Sequence, residues 1–175
     1  DIFEFSLRAI LGQQISVKAA TTYAQRISEK YGKYFQQLPE QTRLTFPKLE
    51  DLLNTDFDDL GLTGSRRATL QRWMQYYAQH SELFSNYQSL EQLEQQLCEI
   101  KGIGPWTVNY IAMRGLSDPD AFPSADLGII KALSSDDNKP NNKDILTLAQ
   151  NWRPWRAYAA IYLWQSLAMQ DNPSS

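Results

Sequence analysis

Two glycines separated by one isoleucine, Gly102 and Gly104, interrupt a helical pattern in the second half of the chain. Aliphatic residues at helical spacing precede them: Leu90, Leu93, Leu97 and Ile100. Pro105 follows directly, where proline is best tolerated, in the first turn of a new helix. The sequence therefore predicts a helix, a tight glycine hairpin and a second helix over about residues 90–115.

The rest of the chain also shows helical rather than strand periodicity. The predicted helices cover about residues 1–11, 16–30, 47–54, 65–80, 125–133, 143–151 and 154–170. No segment alternates convincingly between apolar and polar residues, and we find neither an internal repeat nor a linker. We therefore predict an all-α fold in which residues 1–175 form one domain.

Composition narrows the classes of protein that this chain can represent. It has 175 residues, 42% of them hydrophobic, which excludes a disordered or low-complexity chain. The sequence contains neither a long apolar run nor a signal-peptide pattern. Its single cysteine, Cys98, rules out an internal disulfide. Because the chain also has only one histidine, His80, it cannot form a Cys/His zinc site or a cysteine-ligated iron–sulfur cluster. We expect an intracellular protein in a reducing compartment, with no membrane association.

Charge is unevenly distributed although the net charge is only −3. Two segments, residues 5–28 and 62–81, contain basic residues and no carboxylate: Arg8, Lys18 and Arg26 in the first, Arg66, Arg67 and Arg72 in the second. This segregation predicts a basic face on an acidic protein, or else only ordinary solvated helix surfaces.

The predicted hairpin has the chemistry of an anion site. Amide groups at Gly102, at Gly104 and at the start of the following helix lack intrahelical partners and are free to face a phosphate. Without further support, the same Gly-x-Gly pattern also fits a simple connection between two helices.

Four sequence blocks together resemble one family. They are Arg8-Ala-Ile-Leu-Gly-Gln-Gln-Ile-Ser16, the hairpin block from Leu97 to Met113, Phe122-Pro-Ser-Ala-Asp126, and Trp152-Arg-Pro-Trp-Arg-Ala-Tyr-Ala159 with Trp164. The combination resembles the helix-hairpin-helix superfamily of base-excision DNA glycosylases, and within it the 3-methyladenine DNA glycosylase II type. Full-length relatives of that type carry an additional amino-terminal α+β domain, to which nothing in this sequence corresponds.

The resemblance implies an enzyme that flips a damaged nucleotide out of duplex DNA and hydrolyses its N-glycosidic bond. Alkylated purines such as 3-methyladenine and 7-methylguanine are the implied substrates. Asp126 is the implied catalytic residue, because a carboxylate beside C1′ stabilises an oxocarbenium-like transition state. The sequence alone favours a simple helix N-cap role for Asp126, and the resemblance reverses that preference.

The resemblance also assigns residues to a substrate pocket. Trp106, Tyr110 and Trp164 match aromatic positions that would recognise a cationic base by cation–π stacking, although each could instead pack in the core. Gln13 is assigned to the mouth of the pocket and Gln14 to the wedge that fills the gap left by the flipped nucleotide. A relative of the alkylation-repair type has an apolar wedge residue, so Gln14 departs from that pattern. Both glutamines could also be ordinary surface residues.

At the hairpin, the resemblance implies contacts with the DNA backbone. The DNA-binding residues would be Gly102, Ile103, Gly104 and Thr107, the last through its N–H and hydroxyl. A structural Na⁺ or K⁺ would bind the main-chain carbonyls of Cys98, Ile100 and Gly102. No other cofactor is expected. Because these groups replace many basic side chains, the affinity should depend only weakly on salt.

Bifunctional relatives place a lysine two residues after the second hairpin glycine, where this chain has Trp106. The resemblance therefore implies a monofunctional glycosylase without lyase activity, acting as a monomer on double-stranded DNA. Two alternatives remain open at this point. One is a helix-hairpin-helix DNA-binding module without catalysis, and the other is a glycosylase for mismatched or deaminated bases.

Overall fold

The computed structural model describes residues 1–40, 43–135 and 139–171. The helices are α1 (Ile2–Gly12), α2 (Val17–Tyr31), α3 (Leu49–Leu52), α4 (Gly64–Gln79), α5 (Glu82–Ser85), α6 (Leu90–Leu97), α7 (Pro105–Gly115), α8 (Leu127–Leu133), α9 (Asn142–Ala149) and α10 (Arg156–Asp171), with 3₁₀ turns at Asp58–Leu60 and Gln150–Trp152. The described residues form no β-strand, and an isolated antiparallel bridge joins Tyr34 and Leu44. The predicted all-α fold is confirmed.

Helix α1 lies at the centre of the packing. It contacts α2, α4 and α7, while α6 packs against α7 and α8 packs against α10. Its apolar side is fully buried at Leu7, Ile10 and Leu11. Burying an aliphatic side chain of this size stabilises a fold by roughly 1.5–3 kcal/mol. The hairpin helices and the turn after α1 are therefore fixed to one common core.

Local sequence signals position the helix starts. The Asp1 carboxylate accepts the N–H of Phe3 at 2.9 Å, and the Ser89 hydroxyl accepts the N–H of Gln92 at 3.3 Å. Both are the N-cap contacts that side-chain oxygens provide. Pro105 occupies the first turn of α7, with Gly104 as the N-cap. The predicted helix–hairpin–helix segment is confirmed.

The structure also differs from the predictions in places. Val17 shares the helical period of Ala24 and Ile27 on α2, yet it is 84% exposed, and only Ala24 and Ile27 of this helix are buried. The first turn of α2 therefore projects from the core. The short helix α5 was not predicted, since its 4 residues are too few to show a period. The final helix begins at Arg156 rather than at residue 154.

An ion-pair cluster joins the α7–α8 loop to the start of α10. Arg156 donates to both carboxylate oxygens of Asp120, at 2.7 and 2.9 Å, and Arg153 donates to Oδ2 at 2.9 Å. The N–H of Ala157 also donates to the Pro119 carbonyl at 2.9 Å. This fork geometry fixes the loop that leads to α8.

We expect Asp120→Asn to lower the free energy of unfolding by about 1–3 kcal/mol near neutral pH, because charge-assisted bonds to the two arginines are lost. Burial alone would raise the pKa of Asp120, but the hydrogen bonds and charges of Arg156 and Arg153 outweigh it and hold the pKa below the ordinary value of 3.8. The stabilisation is therefore complete above the ordinary pKa and is lost as the pH falls through the lowered one. Urea unfolding should show the gap between wild type and variant shrinking in acid. A gap that stays constant down to about pH 2 would contradict this account.

Candidate active site

A cleft of about 1290 Å³ opens where the α1–α2 turn, the hairpin, α7, the start of α8 and α10 meet. Its lining brings together residues that are far apart in the sequence. These include Gln13, Gln14, Gly102, Trp106, Thr107, Tyr110, Asp126 and Trp164. The residues predicted for the pocket, the wedge and catalysis therefore share one cavity.

Asp126 is both the N-cap of α8 and part of the wall of the cleft. Its Oδ1 accepts the backbone N–H groups of Gly128 at 2.9 Å and Ile129 at 3.1 Å. Indole N–H groups donate to the same carboxylate, from Trp164 to Oδ1 at 2.8 Å and from Trp106 to Oδ2 at 2.9 Å. The helix cap and the cleft-facing carboxylate, offered by the sequence as alternatives, are thus the same group. The carboxylate thus accepts hydrogen bonds from four uncharged N–H groups, none of which neutralises its negative charge.

The three predicted pocket rings form one cluster beside this carboxylate. Trp106 and Tyr110 are stacked, with ring centroids 5.4 Å apart and an interplanar angle of 24°, and Tyr110 lies 6.2 Å from Trp164. All three are partly buried and line the cleft, and Tyr110 and Trp164 also pack against the core. The cluster therefore presents aromatic surface next to a negative charge, an arrangement that suits a cationic ligand.

Gly128 is a site residue that the sequence reasoning missed. A Cβ built at this position would lie 3.0 Å from Asp126 Oδ1 and 3.0 Å from Trp164 Cδ1. Contacts this short would push the indole away from the carboxylate. Its position two residues after Asp126 was the only available signal, and a close approach of a side chain from α10 leaves no local pattern.

Asn109 was likewise not singled out, although it fixes the segment before Asp126. It is 7% exposed, its amide donates to Glu94 Oε1 at 2.5 Å and to the Pro105 carbonyl at 2.9 Å, and its Oδ1 accepts the N–H of Phe122 at 2.9 Å. Both hairpin helices and the α7–α8 loop therefore meet at one buried amide.

The hairpin has the backbone geometry that its glycines predict. Gly102 has φ of +100°, and a Cβ there would lie 2.1 Å from the Oγ1 of Thr69 on α4. Only glycine combines this conformation with such a close approach. At Gly104 a Cβ would meet no atom within 4 Å, so the outer side of the hairpin is open.

The side chains of two residues that were assigned to contacts with DNA are buried. The side chain of Ile103 is 5% exposed and belongs to the core, which leaves only its backbone for a contact with DNA. Thr107 is 2% exposed, and its hydroxyl accepts the side-chain N–H of Gln13 at 2.9 Å. Accepting this bond leaves the O–H of Thr107 available as a donor, but the side chain is buried, because the first turn of α7 faces the α1–α2 turn.

The two glutamines of the α1–α2 turn have different environments. Gln13 lines the cleft, as predicted, but its Nε2 also donates to the carbonyl of Gly102 at 2.9 Å. Gln14 is exposed at the rim and has φ of 56°, the left-handed region that residues with a Cβ rarely adopt. Gln14 is therefore presented on a tight turn.

Two of the three carbonyls assigned to a cation already accept one hydrogen bond within the protein. The carbonyl of Ile100 accepts the N–H of Ile103 at 2.9 Å, and that of Gly102 accepts Gln13 at 2.9 Å. Cys98 is the C-cap of α6. A carbonyl oxygen has two lone pairs, so one hydrogen bond leaves capacity for an alkali cation, and this donor set fits such an ion.

The arginines of residues 62–81 are engaged with the protein. Arg66 donates to the Gln13 carbonyl at 2.5 Å, Arg72 donates to the Lys101 carbonyl at 2.8 Å, and Arg67 pairs with Asp58. This basic segment therefore supports the turn and the hairpin through backbone carbonyls, a use that charge segregation in the sequence did not reveal.

The chain is similar to a family of DNA repair proteins. The model described as "HhH-GPD superfamily base excision DNA repair protein" matches residues 7–157. A relative from Mycobacterium tuberculosis strain H37Rv, "Probable bifunctional transcriptional activator/DNA repair enzyme AlkA", is 36% identical over 98% of this chain and 35% of its own length. The DNA-3-methyladenine glycosylase of Bacillus subtilis is 31% identical over 95% of this chain and 57% of its own. The chain thus spans only about a third to three fifths of these curated relatives.

Solved structures share the fold. The 3-methyladenine DNA glycosylase Mag1 of Schizosaccharomyces pombe, in complex with abasic DNA, superposes with a TM-score of 0.76 at 25% identity, covering 94% of this chain and 79% of that one. A 3-methyladenine DNA glycosylase from Archaeoglobus fulgidus gives a TM-score of 0.80 over 94% of this chain and 57% of that one, and at 23% identity it supports the fold alone. In the part of this chain that the structure describes, no helix has the length and apolar character needed to cross a membrane.

Proposed function

The chain belongs to the HhH-GPD superfamily of base excision DNA repair proteins, and from this premise we propose that it is a DNA N-glycosylase for alkylated purines such as 3-methyladenine and 7-methylguanine. The observation that carries the proposal is the carboxylate of Asp126, held at the cleft by the indole N–H groups of Trp106 and Trp164. Relatives named as 3-methyladenine glycosylases support the choice of substrate class.

The chemistry follows from the position of this charge. Breaking the N-glycosidic bond leaves positive charge on C1′ and O4′ of the sugar, and a fixed carboxylate stabilises that charge more in the transition state than in the substrate. Asp126 points into the cleft that would receive the flipped nucleotide. The same carboxylate can orient water for attack at C1′ once the base has left.

Selection of the base is assigned to the ring cluster. An alkylated purine carries positive charge and is therefore both a good leaving group and a good partner for electron-rich rings. Trp106 and Tyr110 offer a stacked wall, with Trp164 tilted beside them. A cationic base needs no strong general acid in order to leave. The site fits this chemistry, because the group beside these rings is a carboxylate.

We assign no lyase activity to the chain. Strand cleavage by bifunctional glycosylases needs an amine that forms a Schiff base with the sugar. Among the described residues that line the cleft there is no lysine, and the position two residues after Gly104 is Trp106. Borohydride should therefore fail to trap a covalent complex on a substrate that the protein excises, and a trapped adduct would refute this assignment.

The partner proposed is double-stranded DNA with alkylated bases, bound by a monomer through the open side of the hairpin. Amide groups beside Gly102 and Gly104 and the start of α7 would contact a phosphate, and an alkali cation on the carbonyls of Cys98, Ile100 and Gly102 would add positive charge there. Arg66 and Arg72 are assigned no phosphate contact, because both are already hydrogen-bonded to protein carbonyls.

We therefore expect duplex binding to depend only weakly on salt. With two or three phosphate contacts, the logarithm of the association constant should fall with the logarithm of salt concentration with a slope of about −2 to −3. Fluorescence anisotropy with an abasic-site duplex at several KCl concentrations measures this slope. A slope steeper than about −6 would point to many lysine and arginine contacts instead.

The function is tested by a panel of duplexes that each carry one lesion. We expect single-turnover release of 3-methyladenine and 7-methylguanine, with little release of neutral deaminated or mismatched bases. Release of hypoxanthine or uracil in preference to the alkylated bases would favour the second glycosylase class. Tight duplex binding without release of any base would favour a DNA-binding module without catalysis.

A further inference from the structure

We propose that Gln13 is a positioning residue that braces the α1–α2 turn against the hairpin and thereby presets Gln14 for insertion into the duplex. This inference rests on the proposed function and deepens it. It assigns to Gln13 a task distinct from contact with the base, and it makes Arg66 a partner in that task.

The brace consists of three hydrogen bonds that converge on one residue. Gln13 Nε2 donates to the Gly102 carbonyl at 2.9 Å and to Thr107 Oγ1 at 2.9 Å, so both of its N–H groups are used. From the other side, Arg66 Nη2 donates to the backbone carbonyl of Gln13 at 2.5 Å. Three elements of the fold, α4, α7 and the hairpin, therefore hold this single position.

The turn needs this support because its own backbone bonds are long. The N–H of Gln13 lies 3.4 Å from the Ile10 carbonyl, and the N–H of Ile15 lies 3.4 Å from the Gly12 carbonyl. Between them, Gln14 has φ of 56°. A residue with a Cβ persists in this region only when its surroundings determine it. Gln13, held from both sides, is the adjacent residue that does so.

The brace matters most when the lesion is paired. Extruding a stacked and paired nucleotide costs energy that a preset wedge offsets, whereas an unpaired lesion leaves the stack more easily. The hairpin would grip the DNA backbone, and the brace fixes the wedge relative to that grip. Loss of the brace should therefore harm excision from a paired site more than excision from an unpaired one.

We test this with Gln13→Ala on two duplexes that carry 7-methylguanine, one opposite cytosine and one opposite an abasic-site analogue. Loss of two hydrogen bonds should reduce single-turnover excision from the paired site about tenfold more than from the unpaired site. Gln25→Ala, which removes an exposed glutamine of α2 bonded to Glu29, is the matched control and should leave both rates unchanged. Arg66→Met should repeat the effect, and Arg66→Lys, which keeps a donor, should restore part of it.

Each outcome decides between explanations. An equal loss of the excision rate on both duplexes would mean that Gln13 acts on the base or on the fold as a whole, and would overturn the brace. If the wild type released 7-methylguanine from neither duplex, the proposed function would fail instead. The brace would then be tested by fluorescence of 2-aminopurine beside an abasic-site analogue at saturating protein, where Gln13→Ala should reduce the unstacking signal and an unchanged signal would refute it.

Discussion

Asp126→Asn should lower the single-turnover rate of 7-methylguanine excision by about 10²- to 10³-fold or more, because a neutral amide cannot stabilise the cationic sugar. Asparagine is as good an N-cap as aspartate, so α8 should keep its start and duplex binding should stay within a few-fold of wild type. If the amide oxygen keeps the three contacts of Oδ1, its N–H₂ faces the indole N–H of Trp106, which donates to Oδ2 at 2.9 Å. That unfavourable pairing adds to the loss.

Asp144→Asn provides the matched control. Asp144 also lies in the first turn of a helix, where its Oδ2 accepts the N–H of Asn141 at 3.1 Å, but it is exposed on α9 and does not line the cleft. This variant should excise at the wild-type rate. Wild-type excision by Asp126→Asn, measured on the same duplex, would remove this carboxylate from the mechanism.

Gly102→Ala should destabilise the protein by about 2–4 kcal/mol and weaken duplex binding with it. Two costs combine at this position: the backbone has φ of +100°, and the new methyl group would lie 2.1 Å from Thr69 Oγ1. Any relief moves the hairpin away from α4 and from the Gln13 amide that donates to the Gly102 carbonyl. Urea unfolding and anisotropy with an abasic-site duplex measure the two effects.

Gly104→Ala separates folding from binding. The backbone there has φ of −121°, and a Cβ would meet no atom within 4 Å, so the free energy of unfolding should change by less than about 1 kcal/mol. The added methyl group nevertheless occupies the open side proposed to face DNA. Binding should therefore fall while stability holds. Undiminished binding by this variant would argue against a close approach of DNA to the hairpin backbone.

The sequence predicted the parts of this fold that depend on local physics. The helix periods and the proline in the first turn of α7 are short-range signals, and the structure has both of them. The exposure of Val17 has no such local signal, because the period of a helix does not tell where its packing partner ends.

The site was predictable through the combination of sequence blocks that carries the family resemblance. Taken singly, the carboxylate and the three aromatic rings could have been a helix cap and core residues, and the structure brings all four to one cleft. The supporting residues escaped notice, because the contacts of Asn109, Gly128 and Arg66 join segments distant in sequence. Such contacts appear only after tertiary packing, as does the fact that Asp126 serves as cap and as cleft carboxylate together.

The hydrogen bonds of the ring cluster are divided unequally, and this bears on how enzymes of this architecture diversify. Trp106 and Trp164 each spend an N–H on the carboxylate, so exchanging either ring disturbs the charge itself. Tyr110 contributes ring contacts to both of them. A change at position 110 would remodel the cavity while all four donors to Asp126 stay in place. Under the proposed function, position 110 is thus where the range of excised bases could change during evolution, or be redesigned, while the carboxylate that acts on the glycosidic bond keeps its donors.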